Sequence, residues 1–413
     1  MGRPALAALS LLAKIGLKIG LKVGFVIGFV IGMVPGMLGT ARAQTDGAPD
    51  TERYSLRVEL GVGYDTNAHR TEIVAGGDNP PLVASPLERL VLAGTFTDVV
   101  ADGQVITLGA TAAGKIYDAP AAYDEDVAIA QSSLAWAKTL SPRATLTFAG
   151  GYYEAFQRQA ANLTDASERR DFLSLAPMVQ LGWIPAEHFD LSVVAGHRWF
   201  VFKPDRDDDF TAPTAAADLR WVGQSDGDAD WEVSAGTAYE HRSFGGPALV
   251  IDCPPIIPKG LACAGPDQRR DEFLISHVDL QRVGRVLVGA GYAFHYNLSN
   301  SYGETVMRHF MTARFAAALP GRLTLAARGE LLLAYYSQQV PIGTVAVGNS
   351  FSSVESIDDE NRSSVRVDLS RDLSEGLRLV ARYTFYANEI ANGAAISYRR
   401  QTILLSVTGT IER

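Results

Sequence analysis

Apolar and polar residues alternate strictly through residues 54–65, which read YSLRVELGVGYD. All the even positions are apolar or tyrosine, and all the odd positions are charged, small or polar. A period of two places successive side chains on opposite faces of a β-strand. We therefore predict a strand with one oily face, which carries a tyrosine at each end, and one hydrophilic face.

The same alternation recurs along the rest of the chain. We count about sixteen such segments, with centres near residues 59, 92, 110, 133, 149, 177, 195, 216, 235, 276, 291, 313, 329, 366, 383 and 405. Those near 133, 149 and 276 alternate least cleanly, so we expect β-bulges there. Short turns, such as residues 101–103 and 225–227, alternate with longer loops, such as residues 243–271 and 337–362. This rhythm is typical of an up-and-down barrel with two different rims.

The predicted fold class is all-β: a single transmembrane, up-and-down antiparallel β-barrel of about sixteen strands over residues 53–413. We expect short periplasmic turns, longer extracellular loops, oily side chains facing lipid and ionic side chains lining the bore. A soluble periplasmic β-protein is the alternative, since its strands also alternate. Aromatic residues near the strand ends favour the membrane barrel, because Tyr and Trp prefer the headgroup zone. The candidate interface aromatics are Tyr54, Tyr64, Trp183, Trp199, Trp221, Trp231 and Tyr292.

Composition excludes several classes of function. The formal net charge of −9 argues against nucleic acid as a partner. The mean hydropathy of +0.04 argues against both a helical membrane protein and a disordered chain. Two cysteines cannot build a four-cysteine metal site, and we predict neither a metal nor a cofactor. The seven histidines are scattered outside any serine-hydrolase or zinc motif, so we predict no enzyme activity and no catalytic residue.

Residues 1–43 differ in composition from the remainder of the chain. Basic residues at positions 3, 14, 18 and 22 precede an apolar, glycine-rich run over residues 23–38, and the segment ends in Ala41-Arg42-Ala43. This order indicates a secretory signal peptide that carries the chain across the inner membrane, with cleavage after Ala43. Residues 44–52 would then form a short periplasmic segment. A membrane anchor is the alternative, but the apolar run is short for a span.

Residues 61–67, which read GVGYDTN, resemble the first strand of several families of Gram-negative outer-membrane β-barrels. The terminal strand, which starts at Tyr398-Arg399-Arg400 and alternates to Ile411, is similar too. The likeness is to the barrel region of surface lipoprotein assembly modifiers and to related porin-like barrels without assigned roles. It implies a place in the outer membrane of a Gram-negative bacterium. Membrane lipid, lipopolysaccharide and the barrel-assembly machinery would then be partners.

Charged residues on the inward parity of the predicted strands are the candidate lumen and constriction residues. Arginine outnumbers the acids on this face, and rings of Arg favour anions. The alternative is structural, since Arg–carboxylate ladders can brace the wall across strands, and the two roles are compatible. The candidates are Arg57, Glu59, Arg89, Arg198, Arg220, Arg314, Arg328, Glu330, Arg366, Asp368, Arg378, Arg382 and Arg400.

Two features of the predicted loops add to this description. Cys253 and Cys263 flank a proline-rich segment, and because the outer membrane faces oxidising compartments we predict a disulfide between them. The acidic runs at residues 205–209 and 358–360 lack the spacing of a known calcium loop. We interpret them as solvated surface, bridged to lipopolysaccharide by loosely held cations. The loop over residues 337–362 is long enough to fold into the pore.

A barrel of this size leaves an aqueous channel unless something fills it. We therefore expect porin-like passage of small hydrophilic solutes, with anions favoured by an Arg-lined lumen. Two alternatives stay open. One is a role as an outer-membrane partner in the export or assembly of a surface polysaccharide or lipoprotein, and the other is a structural or adhesive barrel with a closed lumen. A homotrimer is one arrangement that the sequence also leaves open.

Overall fold

The computed structural model describes residues 53–69, 73–74, 81–157, 171–203, 205–224, 230–251, 253, 262–337, 363–387, 390–391, 396–397 and 399–412. The predicted signal peptide (1–43) and periplasmic segment (44–52) lie outside these residues. So do the predicted turn at 225–227 and residues 338–362 of the predicted loop over residues 337–362. Within the described residues, no helix is long and apolar enough to cross a membrane.

In the described part of the chain, sixteen long strands make up the barrel, and the longer connections between them contain three two-residue strands (Ile73–Val74, Ile390–Ala391 and Ile396–Ser397) and two 3-10 helices (Pro120–Glu125 and Arg206–Asp208). The long strands are β1 (Arg53–Asp65), β2 (Ser85–Ala101), β3 (Gln104–Tyr117), β4 (Val127–Ser141), β5 (Ala144–Gln157), β6 (Phe172–Trp183), β7 (Phe189–Phe202), β8 (Phe210–Gln224), β9 (Asp230–Val250), β10 (Cys263–Val283), β11 (Val286–Ser299), β12 (Val306–Leu319), β13 (Leu323–Tyr336), β14 (Ser363–Ser374), β15 (Leu377–Ala387) and β16 (Arg399–Glu412). Every one of the predicted strand centres falls within one of them.

The sheet closes on itself. Each long strand pairs antiparallel with the next along the chain, and β1 pairs with β16 as well as with β2. The closing ladder runs from Ser55 opposite Glu412 to Asp65 opposite Thr402. Closure leaves no unpaired edge, which a sheet in lipid requires because no water is available there for its backbone groups. The predicted fold class is confirmed: a closed antiparallel barrel of 16 strands.

The two rims of the barrel differ, as predicted. One end, the turn rim, carries short connections such as residues 102–103 and 284–285, together with the start of β1 and the end of β16. Gly103 and Gly376 have positive φ angles of 64° and 71° there, a conformation that tight turns need and that glycine adopts without steric cost. The opposite end, the loop rim, carries longer connections such as residues 203–209 and 300–305.

The prediction of a loop over residues 243–271 is wrong. β9 continues to Val250 and β10 begins at Cys263, so the two strands extend as a long hairpin toward the loop rim. The register shifts between Ser243 and Pro247 and again between Pro247 and Leu249. These bulges break the period of two while the pairing continues, so the alternation that marks a strand in the sequence is lost.

The bulges expected near residues 133, 149 and 276 are also wrong. β4 and β5 pair in continuous register from Val127 opposite Gln157 to Thr139 opposite Thr145. β10 likewise keeps its register with β11 from Asp271 to Arg282. The poor alternation of these segments comes from small residues on the outward face, such as Ala128 and Ala130, and not from a distorted backbone.

The oily parity of the strands faces outward, and its side chains are exposed. Ile403 and Ile411 on β16 each keep 60% of their surface accessible, and Leu134 on β4 keeps 52%. In a soluble sandwich such rows would be covered by a second sheet, whereas the described strands form one closed layer. The exposed rows therefore form a lipid-facing band, and the prediction of an outer-membrane β-barrel is confirmed.

All seven predicted interface aromatics lie on this outward parity. Six of them stand toward a strand end, as a headgroup-level residue should: Tyr54, Trp183, Trp221 and Trp231 toward the turn rim, and Tyr64 and Trp199 toward the loop rim. Tyr292 differs, because it lies in the middle of β11 and its hydroxyl is 2.8 Å from Nδ1 of His309.

The inward parity is not ionic throughout, and in this respect the prediction is wrong. Toward the loop rim, β6 to β9 turn five phenylalanines into the barrel, and each is at most 6% exposed. We call Phe172, Phe200, Phe202, Phe210 and Phe244 the aromatic cluster. Neighbouring rings stack, with centroids 5.1 Å apart for Phe172 and Phe200 and 4.8 Å apart for Phe200 and Phe210. Inward residues that are shielded from water pack as a protein interior does.

Candidate functional site

Three arginines on adjacent strands face one another across the inner wall. Arg314 on β12 lies directly opposite Arg328 on β13, and Arg328 lies directly opposite Arg366 on β14. We call these three residues the arginine row. Like charges placed directly opposite in a sheet are destabilising, since Cβ atoms in such pairs are about 5 Å apart. A row of this kind is therefore costly for the wall, and its side chains need water or counter-charges.

Both water and counter-charges are present at the arginine row. The Arg314, Arg328 and Arg366 side chains keep 45%, 55% and 36% of their surface exposed. Each also contacts one carboxylate. Arg314 is 3.4 Å from Asp279, and Arg366 donates to Asp368 at 2.6 Å. The remaining contact joins Arg328 to Glu330.

Asp368 is shared between two guanidinium groups. Besides Arg366, it accepts a hydrogen bond from Nε of Arg382 on β15 at 2.9 Å. Glu330 also accepts a hydrogen bond from the Ser364 hydroxyl at 3.0 Å. Among the described residues, four arginines on β12 to β15 therefore meet three carboxylates, counting Asp279.

Three more of the predicted arginines reach the accessible lumen. Arg57 is 53% exposed and donates to Glu59 at 2.6 Å, and Arg378 is 52% exposed and donates to Asp372 at 2.6 Å. Arg220 is 39% exposed and bonds Glu232 at 2.6 Å. All three lie on the turn-rim half of their strands, whereas the aromatic cluster lies toward the loop rim.

The remaining predicted arginines brace the wall. Arg89, Arg198 and Arg382 are 8%, 16% and 12% exposed, and each is paired with an inward carboxylate. Glu59, which is 3% exposed, bonds Arg57 and Arg89 together. The ladder interpretation therefore describes these residues better than the constriction interpretation does.

Arg400 is the most deeply buried of the predicted set, at 1% exposure. Its guanidinium forms a bidentate pair with Asp65, which is fully buried, and Nε lies 3.0 and 2.9 Å from the two carboxylate oxygens. The Tyr117 hydroxyl donates to Asp65 and accepts from Arg400, each at 2.9 Å. This cluster links β1, β3 and β16 by hydrogen bonds at the loop rim, and its role is structural.

The wall formed by β8 to β11 also carries carboxylates. Asp218 and Asp279 face the bore, and His277 lies 3.2 Å from Asp218. Two inward glycines make room for these carboxylates. A Cβ on Gly236 would come within 2.1 Å of Asp218, and one on Gly291 within 2.3 Å of Asp279. Asp279 is also the carboxylate that Arg314 contacts at 3.4 Å, so the charge of the wall changes sign between the arginine row and Asp218.

Several inward charges were missed by the sequence reasoning. Lys115 on β3 is buried and stands 5.7 Å from the Tyr117 ring. It shares the parity of Thr107 and Thr111, so phasing β3 would have found it. Arg242 packs its guanidinium 4.1 Å from the Phe273 ring. It lies one residue before the predicted loop over residues 243–271, and no phase was assigned to it.

The predicted disulfide and the first acidic run lie at the loop rim. Cys253 and Cys263 form a disulfide near the tip of the β9–β10 hairpin, with their Cα atoms 5.9 Å apart. Asp205 accepts from the backbone N–H of Asp207 at 3.0 Å, and Asp209 accepts from that of Phe202 at 2.6 Å. These two acids hold the turn between β7 and β8. Residues 358–360 lie outside the described residues, and among those that are described no group of three or more His, Cys, Asp or Glu could hold a metal ion.

Comparisons with known proteins give likenesses among solved structures only. No family model matches the sequence. No curated protein matches it. The outer membrane protein OpdK of Pseudomonas aeruginosa is 10% identical, with 87% of this chain and 99% of that chain covered and a TM-score of 0.46.

Two further structures are similar to the same extent. OccAB3 of Acinetobacter baumannii is 9% identical, with 87% and 99% of the chains covered and a TM-score of 0.43. OmpT of Vibrio cholerae is 10% identical, with 88% and 99% covered and a TM-score of 0.41. At these identities and TM-scores, the likenesses carry no conclusion about what this chain transports or binds.

Proposed function

We propose that this barrel is a porin-like channel that passes small hydrophilic solutes and favours anions. The observation that carries the proposal is the arginine row, because three accessible guanidinium groups in direct register present positive charge to the bore. Rings of arginine in a pore select for anions. A barrel of sixteen strands is wide enough for an aqueous channel.

The charge distribution also orients a charged solute within the bore. The arginine row occupies β12 to β14, and Asp218 and Asp279 occupy β8 and β10. A solute that carries a negative group is drawn toward the arginine row and away from Asp218. The field therefore orients a dipolar or anionic solute while it crosses, and the exposure of the three guanidinium groups to water keeps the binding weak enough for release.

Planar-bilayer recording tests this proposal directly. The purified chain is expected to conduct, and a salt gradient is expected to give a reversal potential on the anion-selective side. Arg314→Ala should reduce this selectivity, since Arg314 is exposed to the bore. Arg382→Ala should change it less, because Arg382 is 12% exposed and bonded to Asp368. A complete lack of conductance, or cation selectivity that neither substitution moves, would contradict the proposal.

A closed barrel is the second candidate, and the aromatic cluster favours it. These rings fill part of the bore toward the loop rim and are shielded from water. Swelling of proteoliposomes in small sugars separates the two functions: an open channel admits the solute and the vesicles swell, whereas a sealed, structural or adhesive barrel leaves their volume unchanged.

A further inference from the structure

The lipid-facing surface carries charged residues close to both of its boundaries. Toward the loop rim, the outward carboxylates Glu154 and Glu272 are partnered within the chain. Glu154 accepts from the Tyr152 hydroxyl and contacts Lys203. Glu272 accepts from the Tyr239 hydroxyl and lies 2.7 Å from Nδ1 of His241. These two carboxylates need nothing from outside the protein to satisfy them.

Toward the turn rim, three of the outward charges are cations, and no described carboxylate pairs with them. Lys138 on β4, Arg282 on β10 and Arg371 on β14 are exposed. Lys138 shares its parity with the exposed Leu134 and Leu140. Within the part of the chain that the structure describes, no carboxylate lies within ion-pair distance of any of these three cations.

The three cations share the outward parity of the lipid-facing band. Arg282 follows the exposed Val278 and Leu280 at the same spacing of two, and Arg371 stands between the exposed Leu369 and Leu373. Their neighbours across the ladders are also apolar. Trp231 and Val288 lie opposite Arg282, and Leu323 and Leu379 lie opposite Arg371.

The neighbours of Lys138 complete this arrangement. Leu146 lies opposite it on β5 and Gln104 on β3, and Trp136 precedes it on the same face. Long basic side chains flanked by apolar residues extend their charge to the headgroup level, because a charge held among acyl chains is costly. One outward carboxylate, Asp98 on β2, stands at the same end, opposite Ile106. The three cations outnumber it.

We propose that this turn-rim end of the barrel exterior binds the phosphate headgroups of anionic phospholipids in the leaflet that faces the short turns. Unpaired guanidinium and ammonium groups at headgroup level complement a phosphate by charge and by hydrogen bonding. β4, β10 and β14 are well separated around the barrel, so the cations form a ring of single contacts. Each Lys or Arg near an anionic surface strengthens binding about fivefold.

Native mass spectrometry of the full chain, released from vesicles of phosphatidylcholine and phosphatidylglycerol in equal parts, tests this inference. The wild-type barrel is expected to retain phosphatidylglycerol in preference to phosphatidylcholine. Lys138→Gln, Arg282→Gln and Arg371→Gln should each remove one retained phosphatidylglycerol and weaken lipid affinity about fivefold. Each single variant keeps the apolar band intact, so the test does not depend on whether the triple variant inserts.

Arg378→Gln is the matched control. Arg378 lies toward the same rim on β15 and is 52% exposed, but it faces the lumen, where it donates to Asp372. Its loss should leave the retained phosphatidylglycerol unchanged. The inference is overturned if both lipids are retained equally, or if Arg378→Gln loses as much phosphatidylglycerol as Arg282→Gln does. It is overturned as well if inorganic phosphate competes as effectively as vesicle lipid, since the site would then recognise a free anion.

Discussion

Neutralising the middle of the arginine row should change ion selectivity by an amount that depends on salt. Arg328→Gln removes one charge from the most exposed of the three side chains, at 55%, and leaves Glu330 without its cation. The local charge therefore becomes more negative by one unit while the wall keeps its shape, because glutamine is polar and still hydrates. The expected result is a smaller preference for anions.

The size of the effect follows from Coulomb's law. A unit charge about 7 Å from the ion path in water contributes about 0.6 kcal/mol before screening. Screening lengths of about 30 Å at 0.01 M salt and about 8 Å at 0.15 M reduce this to about 0.5 and about 0.25 kcal/mol. The charge attracts anions and repels cations equally. The anion-to-cation permeability ratio should therefore fall about fivefold at the lower salt and about twofold at the higher salt.

Reversal potentials across planar bilayers measure this ratio directly at both salt concentrations. Arg270→Gln is the control, since it makes the same chemical change on the outward face of β10 and should leave the ratio alone. An unchanged ratio for Arg328→Gln at the lower salt would refute the reasoning. So would a change that does not shrink as salt is raised, because a field in water must be screened.

Three further predictions concern stability. Arg400→Met leaves the buried Asp65 carboxylate without its cation, which should lower the free energy of unfolding by about 3–5 kcal/mol. In a heat-modifiable gel assay the folded band should then disappear at a lower temperature. The double variant Arg400→Met with Asp65→Asn should recover much of the lost stability. Replacing Cys253 and Cys263 by serine should remove about 3 kcal/mol of local constraint at the hairpin tip, so proteolysis at residues 251–262 should accelerate while gel migration stays unchanged. Burial, together with neighbouring carboxylates, raises the pKa of Glu304 above its usual 4.5. The stability contributed by the protonated side chain is therefore full below pH 4.5 and is lost as the pH rises through the raised pKa. The hydrogen-exchange protection of residues 300–305, measured as the exchange rate relative to the intrinsic rate at each pH, should therefore fall as the pH rises, and Glu304→Gln should flatten this dependence.

The sequence predicted the barrel because the sheet has a strict side-chain period and lipid enforces it. A one-residue slip would turn every apolar residue of a strand inward, so the phase of residues 54–65 is preserved in the ladder from Ser55 to Asp65. The same phasing placed all ten candidate arginines on the inward parity. It could not say which of them water reaches, since Arg328 and Arg400 have the same parity and differ in exposure from 55% to 1%.

Two features could not be predicted from the sequence, each for its own physical reason. The bulges at Pro247 remove the period of two without ending the pairing, so the end of β9 looks like a loop. The aromatic cluster was not predicted because side chains on the inward face were assumed to be hydrated. Phe200 and Phe210 face inward, yet they are covered near the loop rim and pack as an interior does. Alternation reports only the face on which a side chain lies, and burial depends on what the rest of the chain places over that face.

The arginine row supports a water-filled bore at its own level. Two guanidinium groups about 5 Å apart repel by about 0.8 kcal/mol in water and by about 3 kcal/mol at an effective dielectric constant of about 20. Two such pairs stand in direct register here, Arg314 with Arg328 and Arg328 with Arg366. If protein filled the lumen at this level, the row would cost more than its carboxylates recover, since a charge removed from water also loses hydration. Buried cations rely on carboxylates in place of water: Arg400 lies against Asp65, and Arg89, which stands directly opposite the buried Lys115, bonds Glu59. The side chains of the arginine row are instead exposed, and this level of the barrel is where we expect solute to pass.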